Sequence, residues 1–340
     1  MNIIVLSGGL SPERDVSLSS GSLIANALID NGHNVYLLDL LTGSDKRYEE
    51  LKFLNKHGQD RYSFTVPSEE PDLVSLKKQY PDLIGKNVID ICKKADIVFI
   101  ALHGSIGENG QLQSLFDLNS VTYTGSSYIG CMLAMDKDIS KKAAKLEGIP
   151  TPNWKLHSLD EYTVDQIVTE TSFPCVVKPL SCGSSVGITI PKSNEELMQS
   201  LQIAQKYEQH ILIEDMIEGR EFSCGVLGGK ALPIIEIIPK QGFYDYKNKY
   251  QKGFACEVCP ADIDKNIETK IKEYSEKIHS ALRLGYYSRS DFMLSRDGQV
   301  FYLETNTLPG MTPTSLLPQE ANVYGIGYNE LCEKIAKHPC

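Results

Sequence analysis

With 340 residues the chain is long enough for two or three domains, each with its own core. Its 41% hydrophobic and 23% charged residues are ordinary for a soluble globular protein, and a net charge of −10 argues against a nucleic-acid footprint without excluding a nucleotide held by local lysines. No run approaches the ~18 apolar residues of a membrane span, and MNIIVLSGG has neither the basic region nor the apolar length of a signal peptide, so the expectation is a cytoplasmic protein with no membrane and no nucleic-acid partner.

Residues 2–6 (NIIVL) read as a short buried strand, followed by a Gly8-Gly9 turn. A helix start follows at Ser11-Pro12-Glu13, with proline near the first turn and an acid at the positive end of the helix dipole. A GxGxxG fingerprint is absent, which leaves a nicotinamide cofactor little support. HNVYLLDL is a second strand, 42–80 a polar insertion with no assignable role, 81–94 a helix, and ADIVFIAL a third strand. Such alternation makes a parallel α/β layer whose ligands sit beyond the C-terminal strand ends. Glu13 and His103, in HGSIGENGQLQ, both fall at such ends. Locally, Glu13 is equally a plain helix acid, and His103 reads slightly better as a satisfied loop histidine.

VTYTGSS (121–127) suggests another short strand and turn, and MDKDISKKAAKLEGI a helix carrying Lys137, whose four lysines by default form a solvated face. The composition change at GIPTPNW marks a boundary inside a second, smaller α/β unit. FPCVVKPLSCGSSVGITIP reads strand, loop, strand; a P-loop is excluded because the lysine precedes the loop and a strand follows. Lys178 near the end of an apolar strand is costly unless its ammonium meets an anion. The 181–187 loop offers backbone donors and hydroxyls to cover phosphates. The alternative is a plain hairpin with an exposed lysine.

A helix over 194–208 leads to ILIEDMI, an apolar strand followed by Glu218 and Glu221. An adenine fits an apolar slot at a strand-to-loop transition, and Glu214 or Glu221 suits the ribose hydroxyls. ALPIIEIIP is a further strand. Three tyrosines and three lysines between Gly242 and Gly253 mark a loop able to close over a site. The Cys256-Glu-Val-Cys259 motif has no second ligand pair for zinc, and the nine cysteines, an odd number, read as reduced core thiols. Residues 262–284 make an amphipathic helix.

The most informative stretch is 286–316. SDFMLS and QVFYLETN alternate on either side of an Asp297-Gly298 turn, as in a β-hairpin. Regular pairing sets Phe292 against Leu303 and Leu294 against Phe301 on an apolar face. On the other face Asp291 meets Glu304, and Arg289 meets Asn306. Two opposed carboxylates lie only about 4.5–5.5 Å apart at Cβ and repel. A hard divalent cation with oxygen ligands reverses the sign, with Asn306 as third donor. The alternative is an edge where both acids pair with Arg289 and a lysine from elsewhere. TLPGMTPTS beyond it suits an anion-binding loop.

Taken together these stretches resemble the D-alanine–D-alanine ligases of the ATP-grasp superfamily. GGLSPERDVSLSSG, HGSIGENGQLQ, YTGSS with AMDK, VVKPLSCGSSVG, IEGREF with GVLGG, FYDYKNKY, CPAD and LETNTLPGMTPTSL match in family order, from end to end except for 42–80. The resemblance implies a three-domain α/β ATP-grasp fold: a Rossmann-like substrate domain over 1–125, a lid domain over 126–213, and a C-terminal domain over 214–340 with a closing loop at 241–258. ATP would be gripped between the last two, and the chain would form a homodimer.

The resemblance also implies roles. Asp291, Glu304 and Asn306 would hold two Mg²⁺ (or Mn²⁺) ions on the ATP phosphates. Lys137 and Lys178 would contact those phosphates under the loop carrying Ser184 and Ser185. Glu214 and Glu221 would bind adenosine, with Met216 and Ile217 backbone near adenine and Tyr244 in the same ATP site. Glu13 would take the ammonium of the first D-alanine, near His103. Ser184 and Tyr250 would join Glu13 in locking the closing loop, and Lys249 would reach the transferred phosphate. Ser315 and the Leu316 backbone would hold the second carboxylate, while Arg289 and Gly310 N–H would stabilise the tetrahedral oxyanion. The first carboxylate would become an acyl phosphate that the second amine attacks. Tyr250 disfavours a D-lactate acceptor; D-serine, or another amino acid pair, stays open. Cys182 and Ser288 depart from the family pattern, in place of a common acid and a common glycine.

Overall fold

The computed structural model describes residues 1–67, 69–183, 186–239 and 255–340. Ile3, Ile4, Val5 and Leu6 are all fully buried, as expected of a parallel strand covered on both faces. They belong to β1 (Asn2–Ser7), which pairs in parallel with β2 (Asn34–Asp39) and β3 (Ile97–Ile100) in the order β2-β1-β3. The helix α1 (Arg14–Asp30) packs on this sheet. Gly8 turns the chain after β1 at φ +76°, where a Cβ would collide with Asp39. That acid instead pairs with Arg14.

The polar 42–80 insertion is a strap rather than a free loop. Leu54 bridges Val35 at the outer edge of β2, and the Tyr62 hydroxyl donates to the Val35 carbonyl at 3.1 Å. Backbone and side chain of Asn26 and Tyr62 exchange two further bonds, at 2.8 and 3.0 Å. The strap covers an edge that would otherwise present unpaired backbone groups, then carries the short α2 (Leu73–Gln79). The helix expected over 81–94 shrinks to α3 (Val88–Cys92), because Pro81 and Gly85 break its first half and Asn87 turns left-handed at φ 61°. The strand expected at 121–127 is a single bridge, Val98 to Tyr123. After β3 come α4 (Gln111–Leu118), α5 (Tyr128–Met135) and α6 (Lys137–Leu146).

A second, antiparallel sheet has the order β4-β6-β5, from β4 (Trp154–Ser158), β5 (Cys175–Pro179) and β6 (His210–Asp215). Helices α7 (Val164–Glu170) and α8 (Asn194–Gln205) pack on it through Ile167, Leu197 and Leu201. The strand expected after the 181–187 loop is reduced to one bridge, Thr189 to Val177.

The third sheet runs β10 (Ala255–Val258), β9 (Ile235–Pro239), β7 (Gly219–Leu227), β11 (Tyr287–Ser295), β12 (Val300–Asn306), with β8 (Lys230–Ala231) on β7. Its back is covered by α9 (Lys265–Ala281) and by α5 and α6, around Phe222, Phe292 and Tyr302. The chain ends in α10 (Leu316–Val323) and α11 (Tyr328–Lys337), the latter returning to the first core. The expected mixed α/β fold in three units is therefore present.

The hairpin departs from regular pairing. Arg289 opposes Asn306 and Asp291 opposes Glu304, as the sequence predicts, but the register then shifts so that Phe292 faces Tyr302 and Leu294 faces Val300. Leu303 is the extra residue of a β-bulge. Val300 and Tyr302, not Phe301 and Leu303, enter the core. Alternation in QVFYLETN cannot reveal this, since two apolar residues of either parity are available.

Candidate active site

The far end of this hairpin contributes to the walls of two cavities. The first, about 420 Å³, lies between the second and third sheets. Its walls include Val176, Ile190, Ile237, Met293 and Leu303, an apolar slot. The bulge explains how the neighbours Leu303 and Glu304 both line it, because an inserted residue re-aims the chain locally. Met216 and Ile217 line it from the β6–β7 connection, and Glu221 from β7.

At the inner end of this cavity sits a buried charge cluster. Glu214 is 4% exposed, with Oε1 2.5 Å from Lys178 Nζ and Oε2 2.7 Å from Lys141 Nζ. Burial pushes the Glu214 carboxyl up, but the two ammoniums outweigh it and hold it below its usual value. Burial pushes Lys141 down to about 8. Lys141 also donates to Thr151 Oγ1 at 2.6 Å, and lies 5.3 Å from the Trp154 ring. Sequence reasoning missed this lysine. The signal was its spacing: Lys137, Lys141 and Ala144 share one face of α6, and all are buried. Only Lys142 and Lys145 form the expected solvated face.

Asp291 and Glu304 sit directly opposed and their repulsion is offset by cations. Arg289 Nε and Nη2 donate to the two oxygens of Asp291 at 3.0 and 2.9 Å, and Ser223 Oγ donates to Oδ1 at 2.7 Å. Asn306 Nδ2 donates to Oδ2 at 3.2 Å, and Lys137 Nζ lies 3.5 Å from Glu304. These are the ion pairs that form the alternative to a metal, though Asp291 and Lys137 are buried and only Arg289 and Glu304 are partly exposed. Among the described residues no group of three His, Cys, Asp or Glu side chains could hold a metal ion. Two carboxylates with the Asn306 amide oxygen still make an all-oxygen donor set, which suits Mg²⁺ or Mn²⁺ and not a softer metal.

The second cavity, about 510 Å³, opens between α1 and the 308–316 loop. Glu13, His103, Arg289, Asn306, Gly310 and Ser315 line it, so the structure brings these expected residues together. Val66 from the strap lines its wall beside Leu23, a contribution no sequence motif indicated. Ser315 stands at the N-cap position of α10 without a side-chain capping bond, its hydroxyl 2.8 Å from Thr312 Oγ1, and Leu316 N–H opens the helix where orphan donors and the dipole favour an anion. His103 Nε2 is 3.4 Å from Ser20 Oγ and Nδ1 4.0 Å from Glu108; burial lowers its pKa. Glu108 lines both this cavity and the junction with Lys137, Gly183 and Glu304. Burial, reinforced by Glu13, pushes it up to about 8.

Both departures from the family pattern have a local account. Cys182 contributes its carbonyl, which accepts from Lys137 Nζ at 2.6 Å. Ser288 is fully buried and bonded to His279 Nδ1 at 2.8 Å. Ser184, Ser185, Tyr244, Lys249 and Tyr250, with most of the expected closing loop at 241–258, lie outside the described residues.

Comparison with known proteins agrees with this architecture. Residues 2–126 match the family described as D-ala D-ala ligase N-terminus, and residues 143–337 the D-ala D-ala ligase C-terminus. The chain is 42% identical to a D-alanine–D-alanine ligase of Pediococcus pentosaceus, over 98% of its own length and 96% of the relative's. It is 40% identical to that of Lacticaseibacillus casei, over 97% and 93%. The crystal structure of the D-alanine–D-alanine ligase from Bacillus anthracis superposes with a TM-score of 0.77 at 30% identity, over 99% of this chain and 97% of that one. The VanG D-Ala:D-Ser ligase from Enterococcus faecalis gives 0.75 at 27%, over 98% of each.

Proposed function

The chain belongs to the D-alanine–D-alanine ligase family, and from that premise we propose how its residues divide the work of joining two D-alanines at the expense of ATP, a step in peptidoglycan precursor synthesis. One observation carries the reading: adjacent residues of a single hairpin end line both cavities, Asp291 and Glu304 facing one, Arg289 and Asn306 the other. A phosphoryl group bound in the first is thereby delivered to a carboxylate bound in the second.

The apolar slot takes adenine against Met216 and Ile217 backbone, with Glu221 toward the ribose. Lys137 and Lys178 meet the phosphates, and Glu214, expected on the adenosine, has its two carboxylate oxygens on Lys178 and Lys141 and acts through Lys178 instead. Asp291, Glu304 and Asn306 would hold Mg²⁺, which when bound neutralises phosphate charge. Glu13 binds the first ammonium beside His103. Ser315 hydroxyl and Leu316 N–H hold the second carboxylate at the α10 N-terminus. The first carboxylate takes the γ-phosphoryl group; the second amine, once neutral, attacks the acyl phosphate and expels phosphate. Arg289 and Gly310 N–H face the oxyanion of that step. We assign the substrate, lid and C-terminal units to 1–125, 126–213 and 214–340, and the working form to a cytoplasmic homodimer. No described helix is long and apolar enough to cross a membrane.

The test is phosphate release from ATP and Mg²⁺ with D-alanine against L-alanine, D-serine and D-lactate, with products identified by mass. D-alanyl-D-alanine from D-alanine alone is expected, and Asp291→Asn should lower the rate at least 100-fold while weakening Mn²⁺ binding read by paramagnetic resonance. Product only in the mixed D-alanine and D-serine reaction would overturn the acceptor assignment.

A further inference from the structure

Glu320 lies on α10, within two turns of Ser315, and is fully buried. Its Oε2 accepts the Gly225 backbone N–H at 2.7 Å, while Oε1 is buried with no hydrogen-bond partner among the described residues. A buried acid so incompletely partnered is rare enough to need a reason. Gly225 makes the contact possible, since a Cβ there would collide with Oε2.

The sheet register says where this carboxyl stands. Gly225 on β7 opposes Arg289 on β11, and Ser223 opposes Asp291. Directly opposed residues of an antiparallel pair project from the same face, about 4.5–5.5 Å apart at Cβ. The Glu320 carboxyl therefore fills the side-chain slot that Gly225 leaves empty, beside the root of Arg289 and on the face carrying Ser223 and Asp291. Leu317 of the same helix meets the same slot. Burial pushes Glu320 up to about 8 and Asp291 adds to this, against Arg289 and the Gly225 N–H. A neutral carboxyl can hold the contact without taking a share of the Arg289 charge.

We infer that Glu320 is a positioning residue for the second amino acid. It registers α10 on β7, and so fixes the Ser315 hydroxyl and Leu316 N–H relative to Arg289. This rests on the reading above, in which those three groups handle the second D-alanine.

The test separates the two D-alanine KM values and the KM for ATP in Glu320→Ala and Glu320→Gln. Loss of the contact leaves the Gly225 N–H unsatisfied and the helix unregistered, so Glu320→Ala should raise the second D-alanine KM roughly tenfold. The KM for ATP should stay within about twofold. Glutamine keeps a side-chain oxygen for the Gly225 N–H and should restore near-normal values. If the alanine variant does not fold, Glu320→Asp asks the same question, since it keeps the acid but withdraws it by one methylene. An unchanged second KM, or an equal rise in all three, overturns the positioning role. A wild-type enzyme that makes no dipeptide overturns the reading of the site itself, which is a distinguishable result.

Discussion

Replacing Glu214 by glutamine would leave two buried ammoniums, Lys141 and Lys178, on either side of an uncharged amide. Removing one partner of a buried ion pair typically costs about 3–5 kcal/mol. Of the two, Lys141 can yield, because a lysine can shed its proton. Already pushed down to about 8, it does so at pH 7.5 for under about 1 kcal/mol. Lys178 then loses the partner of its buried ammonium, and the expected loss for Glu214→Gln is therefore about 3–4 kcal/mol at pH 7.5. It should be smaller by up to about 1 kcal/mol at pH 9.5, where Lys141 is already neutral in the wild-type protein. Trp154, the single tryptophan, sits against Lys141 and reports unfolding in urea by its fluorescence. Lys141→Met is the control: it leaves the Glu214–Lys178 pair intact and should cost less. A loss below about 1 kcal/mol at pH 7.5 would refute the view that Glu214 is the counter-charge for both lysines.

Leu303→Ala should raise the KM for ATP about tenfold yet cost less than the roughly 2–5 kcal/mol of a core leucine truncation; a core-sized loss in urea denaturation would contradict the bulge register. Above about pH 9 the fold should weaken, because burial pushes Cys92, Cys131 and Cys332 up to about 12. Each thiol is ionised first in the unfolded chain, so its contribution is intact below about pH 9 and is lost at about 1.4 kcal/mol per pH unit as pH rises toward 12. Lys141 works the other way between about 8 and 10.5, one group against three. Urea midpoints that stay level from about pH 9 to 10.5 would contradict this balance.

Much of the site was legible because its chemistry is local in sequence. The opposed acids follow from a turn signal and a period of two, whereas the positions of Glu13 and His103 after apolar runs fit a plain helix acid and a plain loop histidine equally well or better, and only the resemblance supplied their roles. What escaped depends on distance in space. Glu320 reads as one polar residue in a short helix, and only the β7 register reveals the glycine it meets. Lys141 carried a signal in its helical spacing, but the charge it faces comes from β6, some seventy residues on. The strap reads as polar filler because its anchors, Tyr62 and Leu54, are single residues that grip β2 and α1 by backbone bonds rather than by a pattern.

The hairpin bulge sets which length changes this chain can absorb. Tyr302 and Glu304 have the same parity, so in an unbroken ladder they would face the same way. With Leu303 inserted, Tyr302 enters the core while Glu304 turns to the cavities. Deleting any one residue from 300 to 303 would restore the ladder and force the strand to give up either its core face or its acid. Extra residues at the exposed Asp297-Gly298 turn carry only the slow logarithmic cost of a longer loop. Two ends of one short hairpin thus differ sharply in their tolerance of insertion and deletion, and natural length variation should be confined to the turn.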